Sequence, residues 1–283
     1  MPGTLYLVPT PIGNLGDISA RMADTLAEAD FIAAEDTRVT LKLLNHLGLK
    51  KPMVSYYRHN TGESGAAVLN RLLAGENCAL VTDAGTPAIS DPGEELVHQC
   101  AQAGIPVVSI PGPCALITAL AASGLPTGRF TFEGFLAMNK KNRRAHLEEL
   151  KGETRTMLFY EAPHKLLSTL ADLLDAFGPD RRIALCRELT KLHEEIRRTT
   201  LGEAVTWYEA NPPKGEFVLV LEGGAPAAEN VPTLETGLLR VEELRASGAS
   251  LRDAARQAAA ELGLPRKALY DLALGKGTSD RVD

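Results

Sequence analysis

Three short loops rich in glycine and proline hold the residues best suited to chemistry: Pro9 to Asn14 (PTPIGN), Thr82 to Gly93 (TDAGTPAISDPG) and Pro111 to Ala115 (PGPCA). Glycine lets a backbone come close to a ligand, while proline fixes the approach and removes a donor where none is wanted. One such loop is an ordinary strand-to-helix turn. Three together point to a small ligand. None of them reads GxGxxG or GxxxxGK followed by Ser or Thr, so neither a dinucleotide pyrophosphate nor a nucleoside triphosphate is favoured. No GxSxG elbow occurs. His193-Glu194-Glu195 lacks a second histidine four residues after His193, which excludes HExxH zinc chemistry, and no metal is expected.

Elements that would position these loops follow from periodicity. Leu5 to Val8 is an apolar run stopped by Pro9, Asp17 to Ala29 has a helical period, and Asp30 to Ala34 reads as a second strand ending at Glu35-Asp36. Helices over 39–47, 65–73, 94–103 and 115–122 stop at Gly48, Gly75, Gly104 and Gly124, and strands over 53–57, 78–82 and 107–110 separate them. Each loop therefore sits at the carboxyl end of a strand. Strict alternation predicts a mostly parallel sheet covered by helices, an α/β architecture that places ligands at that edge. The spacing predicts a joint at 124–128 and a second α/β unit: an apolar stretch at 130–135, helices over 141–150 and 165–177, and strands over 156–160, 183–187 and 217–221. Beyond the small-residue linker at 223–228, Ser250 caps a helix striped with Leu251, Ala254, Ala255, Ala258, Ala259 and Leu262. Gly263-Leu264-Pro265 ends it before a second helix over 266–274. The domain boundaries expected are 1–125, 126–224 and 225–283, the last a helix-turn-helix-like appendage that either packs or contacts nucleic acid.

The chain has 283 residues, 45% hydrophobic and 23% charged, ordinary globular usage. Cys78, Cys100, Cys114 and Cys186 are far apart and read as reduced thiols; no apolar run approaches a membrane span, and no basic leader precedes one, so the cytoplasm is the expected location. A net charge of −6 argues against coating nucleic acid by bulk positive charge. The excess acid lies in residues 1–125, with 7 basic and 12 acidic side chains. Lys140, Lys141, Arg143 and Arg144 form a basic run that either contacts phosphate or is plain solvated surface.

Read in order, LVPTPIGNLGDI, AAEDTR, DAGTPAISDPG, IPGPCA, FYEAPHK, RELTK and KGEFVLVLEG resemble the tetrapyrrole-methylase superfamily of S-adenosylmethionine-dependent methyltransferases over residues 4–224. Within it they resemble the branch that methylates the ribose 2′-hydroxyl of a cytidine in small-subunit (16S) ribosomal RNA. Porphyrinoid methylases typically carry Gly-Asp-Pro in the second loop, whereas Gly85-Thr86-Pro87 stands here with Asp83 two residues before the glycine. That departure favours the RNA branch.

The resemblance implies two α/β domains with S-adenosylmethionine in the cleft between them, a homodimer, and small-subunit RNA or the 30S particle as partner. Residue by residue it implies that Pro11, Asp83, Gly85, Thr86, Ile89, Cys114 and Ala115 line the cofactor site from the loops. Tyr160, Glu161, Leu189 and Thr190 would reach in from the second domain. Transfer to a hydroxyl needs in-line positioning and relief of its proton. Asp36 is expected to orient or deprotonate the hydroxyl and Arg38 to grip phosphate, against their plainer roles as a helix cap and a surface ion pair. His59 and Lys191 are secondary catalytic candidates. Two other functions remain open at this stage: a methyltransferase for a tetrapyrrole-like small molecule, and a non-catalytic RNA-binding assembly factor.

Overall fold

A computed structural model describes residues 1–57, 60–225 and 232–279. The chain divides into two compact units, Met1–Gly224 and Ala225–Asp283.

The first unit begins with β1 (Leu5–Leu7), α1 (Ala20–Glu28), β2 (Phe31–Ala34), α2 (Thr37–His46), β3 (Met53–Ser55), α3 (Thr61–Leu73), β4 (Cys78–Val81), α4 (Glu94–Gln102), β5 (Val107–Ser109) and α5 (Ala115–Ser123). Its five strands are all parallel, in the order β3-β2-β4-β1-β5. β2 (FIAA) and β4 (CALV) are buried at every position, as strands covered by helices on both faces must be. One face packs Phe31, Leu72, Leu80 and Leu96, the other Met22, Leu26, Ile32 and Leu44. This order puts the ends of β2, β4, β1 and β5 side by side, so the three loops share one edge and Glu35-Asp36 lies next to them.

The chain continues through β6 (Phe130–Gly134), α6 (Lys140–Leu150), β7 (Thr156–Glu161), α7 (Leu166–Phe177), β8 (Arg182–Arg187), β9 (Glu195–Thr200), α8 (Leu201–Ala210) and β10 (Phe217–Leu221). This second sheet, β6-β7-β10-β8-β9, departs from the parallel pattern of the first. Only β6 and β7 pair parallel; β10 runs antiparallel between β7 and β8, and β9 folds back on β8. No crossover helix separates β8 from β9, so they form an antiparallel pair. α8 starts at a capping box in which Thr200 and Glu203 each bond the other's backbone.

α5 is apolar on most sides because it serves both halves. It follows β5, yet Leu116, Ala119 and Leu120 pack against Leu158, Ala184, Cys186, Val218 and Val220 of the second sheet. Arg198 of β9 then caps its carboxyl end, donating Nε to the Ser123 carbonyl at 3.1 Å and Nη2 to that of Ala122 at 2.5 Å.

Among its described residues the second unit has three helices, α9 (Leu234–Ala246), α10 (Leu251–Leu262) and α11 (Arg266–Ser279), rather than the pair read from the sequence. α9 completes a core of Leu238, Val241, Ala254, Ala255, Ala258 and Leu269. Gly237 is where it comes closest to its neighbours: a Cβ there would lie 2.5 Å from Leu269.

Candidate functional site

The three loops hold one another before any ligand is considered. Thr10 and Gly85 exchange backbone hydrogen bonds at 2.9 and 3.0 Å, and the Thr10 hydroxyl donates to the Thr82 carbonyl at 3.0 Å. The Thr86 hydroxyl donates to the Pro113 carbonyl at 2.9 Å, tying the second loop to the third. Gly112 packs directly on Pro9, so that a Cβ there would fall 2.8 Å from the proline ring. Backbone flexibility of these loops is thus spent in mutual contact, and the surface they present is preformed.

A cavity of about 420 Å³ opens between this edge and the edge of the second sheet where β7 and β8 finish and β10 begins. It brings together Asp83, Gly85, Thr86, Ile89, Cys114, Ala115, Tyr160, Glu161, Leu189 and Lys191, all expected in the site. Pro11 and Thr190 fall outside the lining; Ile12 and Glu188 take those places, each one or two residues away. Asp36 and Arg38 are also outside it, though Glu35 is a wall residue. His59 lies outside the described residues. Ser90, Asp91, Phe135, Glu216, Phe217 and Val218 were not foreseen in the lining.

Among the described residues, the four non-glycine residues with positive φ flank this cavity: Ala88 (67°) and Ser90 (67°) in the second loop, Glu188 (50°) and Thr190 (67°) after β8. Each such conformation costs about 1–3 kcal/mol and persists only where the surroundings over-determine it. After β8 the determinant is a charge cluster. Lys191 Nζ donates to Glu188 at 2.8 Å and to Glu216 at 2.7 Å, and Glu188 also accepts the Glu216 N–H at 2.9 Å. Burial pulls the Lys191 pKa down, but the bonds to Glu188 and Glu216 outweigh it and raise it, so the ammonium stays charged. The Lys191 bond in turn holds the Glu188 carboxyl below its ordinary range. The Lys191 stem lies over Gly13 of the first loop, where a Cβ would come within 2.4 Å of it. One side chain therefore joins the two halves.

On the opposite wall, Tyr160 accepts the Leu116 N–H at 3.2 Å and stacks edge-on against Phe132 and Phe135. Burial pushes its phenol well above the ordinary value, so it remains protonated. Glu161, 4% exposed, accepts the Ala162 N–H at 2.8 Å and the Thr169 hydroxyl. Arg143 reaches the same hydroxyl from α6. It is 8% exposed, so the basic run at 140–144 is not one solvent-facing patch: Lys140, Lys141 and Arg144 are exposed and Arg143 points inward.

At the end of β2, Asp36 caps α2. Its carboxylate accepts the Arg38 backbone N–H at 2.8 Å and the Arg38 side chain at 3.0 and 2.5 Å. Those side-chain and backbone bonds hold its pKa down to about 2, which makes it a weak base. Asp36 N–H donates to Asp83 at 3.1 Å. Burial, by contrast, pushes the Asp83 carboxyl above its ordinary range. Of these two neighbouring carboxylates, Asp83 is the one in the cavity and the better proton acceptor. Among the described residues, no group of three or more His, Cys, Asp or Glu is arranged to hold a metal ion, and no helix is long and apolar enough to cross a membrane.

Known proteins resemble this chain in sequence and in fold. A family model described as Tetrapyrrole (Corrin/Porphyrin) Methylases matches residues 4–205, and one described as RsmI C-terminal HTH domain matches residues 234–277. "Ribosomal RNA small subunit methyltransferase I" of Synechocystis sp. is 50% identical over 274 residues, covering 96% of this chain and 98% of the relative. The protein of that name from Pseudomonas aeruginosa is 47% identical over 274 residues, covering 96% and 97%. Among solved structures, the methyltransferase CobJ superposes with a TM-score of 0.60 at 19% identity, covering 79% of this chain and 95% of that one. Uroporphyrin-III-C-methyltransferase from Thermus thermophilus gives 0.55 at 20% identity, covering 78% and 94%. At such identities the structural likeness speaks for the fold.

Proposed function

The chain belongs to the tetrapyrrole (corrin/porphyrin) methylase family, and from that premise we propose that it transfers a methyl group from S-adenosylmethionine to the ribose 2′-hydroxyl of a cytidine in small-subunit (16S) ribosomal RNA. The acceptor follows the name of the relatives that match almost end to end. The cavity carries the donor. Its volume of about 420 Å³ lies within the usual range of small-molecule sites, about 300–1,000 Å³. Its lining sets Glu35, Asp83, Asp91, Glu161, Glu188 and Glu216 against Lys191, a balance suited to a ligand with cationic groups. Ile12, Ile89, Leu189 and Phe135 supply apolar wall for a nucleoside base.

S-adenosylmethionine supplies an already activated methyl group on a sulfonium. What the protein must add is position and a place for the hydroxyl proton. The interlocked loops supply position, with Gly85 and Thr86 on one side and Cys114 and Ala115 on the other. Asp83 takes the proton, and Asp36, locked by Arg38, holds Asp83 through its N–H. Arg38, whose side chain is 87% exposed, is free on its outer face to meet an RNA phosphate. Lys191 keeps the second domain on the first loop. Exposed Arg266 and Lys267 at the start of α11 give the carboxyl-terminal unit groups for phosphate. A cytoplasmic homodimer completes the reading.

Labelled methyl transfer from S-adenosylmethionine to small-subunit particles, naked RNA and uroporphyrinogen tests it. The expected result is label on a cytidine ribose in RNA. Label on uroporphyrinogen would move the acceptor to a tetrapyrrole, and label on none of them would leave an RNA-binding assembly factor; either outcome overturns the proposal.

A further inference from the structure

Beside the cavity stands a segment that the donor does not account for, running from Phe135 at the end of β6 to Arg144 in α6. β6 and β7 pair parallel, so β6 ends and α6 begins at the sheet edge where Tyr160 of β7 lines the cavity. The connection turns its side chains two ways. Leu136, 5% exposed, packs inward with Leu147 and Leu150. Phe135 lines the cavity and is 57% exposed, meeting Tyr160 edge-on with ring centroids 5.6 Å apart. Leu189, another apolar group of the lining, is buried, so Phe135 marks the solvent side of the cavity.

α6 carries its charges in an order that its own stability does not explain. Lys140, Lys141 and Arg144 are exposed near its start and Glu148 and Glu149 near its end, the reverse of what the helix dipole favours. Among the described residues, no carboxylate pairs with those three cations, whereas Arg143 pairs with Asp172 and Lys151 with Glu148. Arg143 Nη2 also donates to the Thr169 hydroxyl at 2.8 Å, an inward grip on α7 that fixes the start of α6 and leaves its three cationic neighbours in solvent. In the cavity lining, by contrast, Asp and Glu outnumber Lys191. Such walls attract a cationic donor and repel phosphate, so an RNA strand that offers its ribose there must have its phosphates held outside.

Given the function proposed above, on which this rests, we infer that residues 135–144 form the rim that receives the acceptor strand: Phe135 stacks on a base of the RNA, and Lys140, Lys141 and Arg144 hold neighbouring phosphates. An aromatic face beside exposed cations is the combination that binds single-stranded RNA. Lys140 follows Phe135 by five positions, so their backbones lie within about 18 Å of each other, and one stretch of strand can touch both.

Methyl transfer to small-subunit particles, particle affinity across a salt series and equilibrium binding of S-adenosylhomocysteine test this in the full chain. Phe135→Ala is expected to lower kcat/KM for particles by about 5- to 150-fold, the usual worth of one base stacked on an aromatic ring. Phe135→Trp should restore it and Phe135→Leu should not, since leucine keeps apolar area but has no π-face. S-adenosylhomocysteine should bind all three variants as it binds the wild type. Replacing Lys140, Lys141 and Arg144 together by alanine should flatten the dependence of log affinity on log salt by about 2, at about 0.7 per phosphate of a single strand. Lys50→Ala, exposed ahead of β3 at the far edge of the first sheet, should leave that slope unchanged. Weaker S-adenosylhomocysteine binding by Phe135→Ala would place the ring in the donor site, and recovery by leucine would reduce it to packing. Either result overturns the inference, as does an unchanged kcat/KM in Phe135→Ala or an unchanged slope in the triple variant. If the triple variant does not fold, Lys141→Ala decides, with a change of about 0.7 expected and none refuting. Failure of the wild-type protein to methylate RNA would instead strike the proposed function.

Discussion

Replacing Gly112 by alanine tests whether contact between the first and third loops builds the cavity. The added Cβ would lie 2.8 Å from Pro9 Cβ, 3.0 Å from Pro9 Cγ and 3.3 Å from Met22 Sδ. Carbon atoms prefer separations of about 3.5–4.0 Å. The third loop must therefore withdraw by roughly 0.5–1 Å, since the proline ring is rigid and continues from β1. Overpacking of this kind costs about 1–3 kcal/mol. At about 2–4 °C per kcal/mol for a domain of 150–250 residues, the melting temperature should fall by about 2–12 °C. The control is Gly104→Ala, in the turn before β5. There φ is 67° and nothing lies within 4 Å of the new Cβ, so only backbone strain of about 1–2 kcal/mol enters. Melting by calorimetry and S-adenosylmethionine binding by titration calorimetry separate the two. Both variants lose stability, but Gly112→Ala also loses about tenfold in affinity, or 1.4 kcal/mol, while Gly104→Ala binds as the wild type does. Equal affinities in all three proteins would refute the idea that the loops' contacts shape the site.

Two further outcomes follow from local electrostatics. Asp36 has its carboxyl held from an ordinary 3.8 down to about 2, so its favourable interactions are present above the ordinary value and are lost as pH falls through about 2; side-chain carboxyl NMR should show that midpoint, and one near 4 would dissolve the Arg38 clamp. Burial pushes Cys78 and Cys186 up to about 12 and Cys100 to about 11, whereas Cys114 is half-buried in the cavity wall. Iodoacetamide on the folded protein should alkylate Cys114 first, and donor should slow it; equal labelling of all four cysteines would contradict the burial.

Much of the first sheet was legible because its signals are local. Apolar runs mark β2 and β4, glycines with positive φ at Gly48, Gly104 and Gly124 end helices, and Ser250 caps α10. β9 was missed because EIRRTT is polar: it is the edge strand, half-exposed, and shows no apolar alternation. Missing it hid the antiparallel return, although Thr200 and Glu203 already spelled the capping box of α8. In the site, the Gly/Pro loops declared themselves, and Tyr160, Glu161 and Leu189 came through family resemblance. Glu188, Glu216, Arg143 and Thr169 were not separable from surface or core residues. Their roles depend on partners up to 28 residues away in sequence, brought together only by strand pairing and helix packing.

The central position of β10 in its sheet sets the order in which the molecule can be completed. Phe217–Leu221 is the last strand among the described residues, yet it pairs with β7 and β8 on both sides, and Phe217 and Val218 line the cavity. Until that strand emerges during synthesis, β7 and β8 have no shared neighbour and present unpaired edges. Such long-range closure is slow and leaves sticky intermediates. The nascent chain can assemble its first sheet and loops early, but the cavity gains Phe217 and Val218 only with β10, so a complete cavity itself reports that the second sheet has closed.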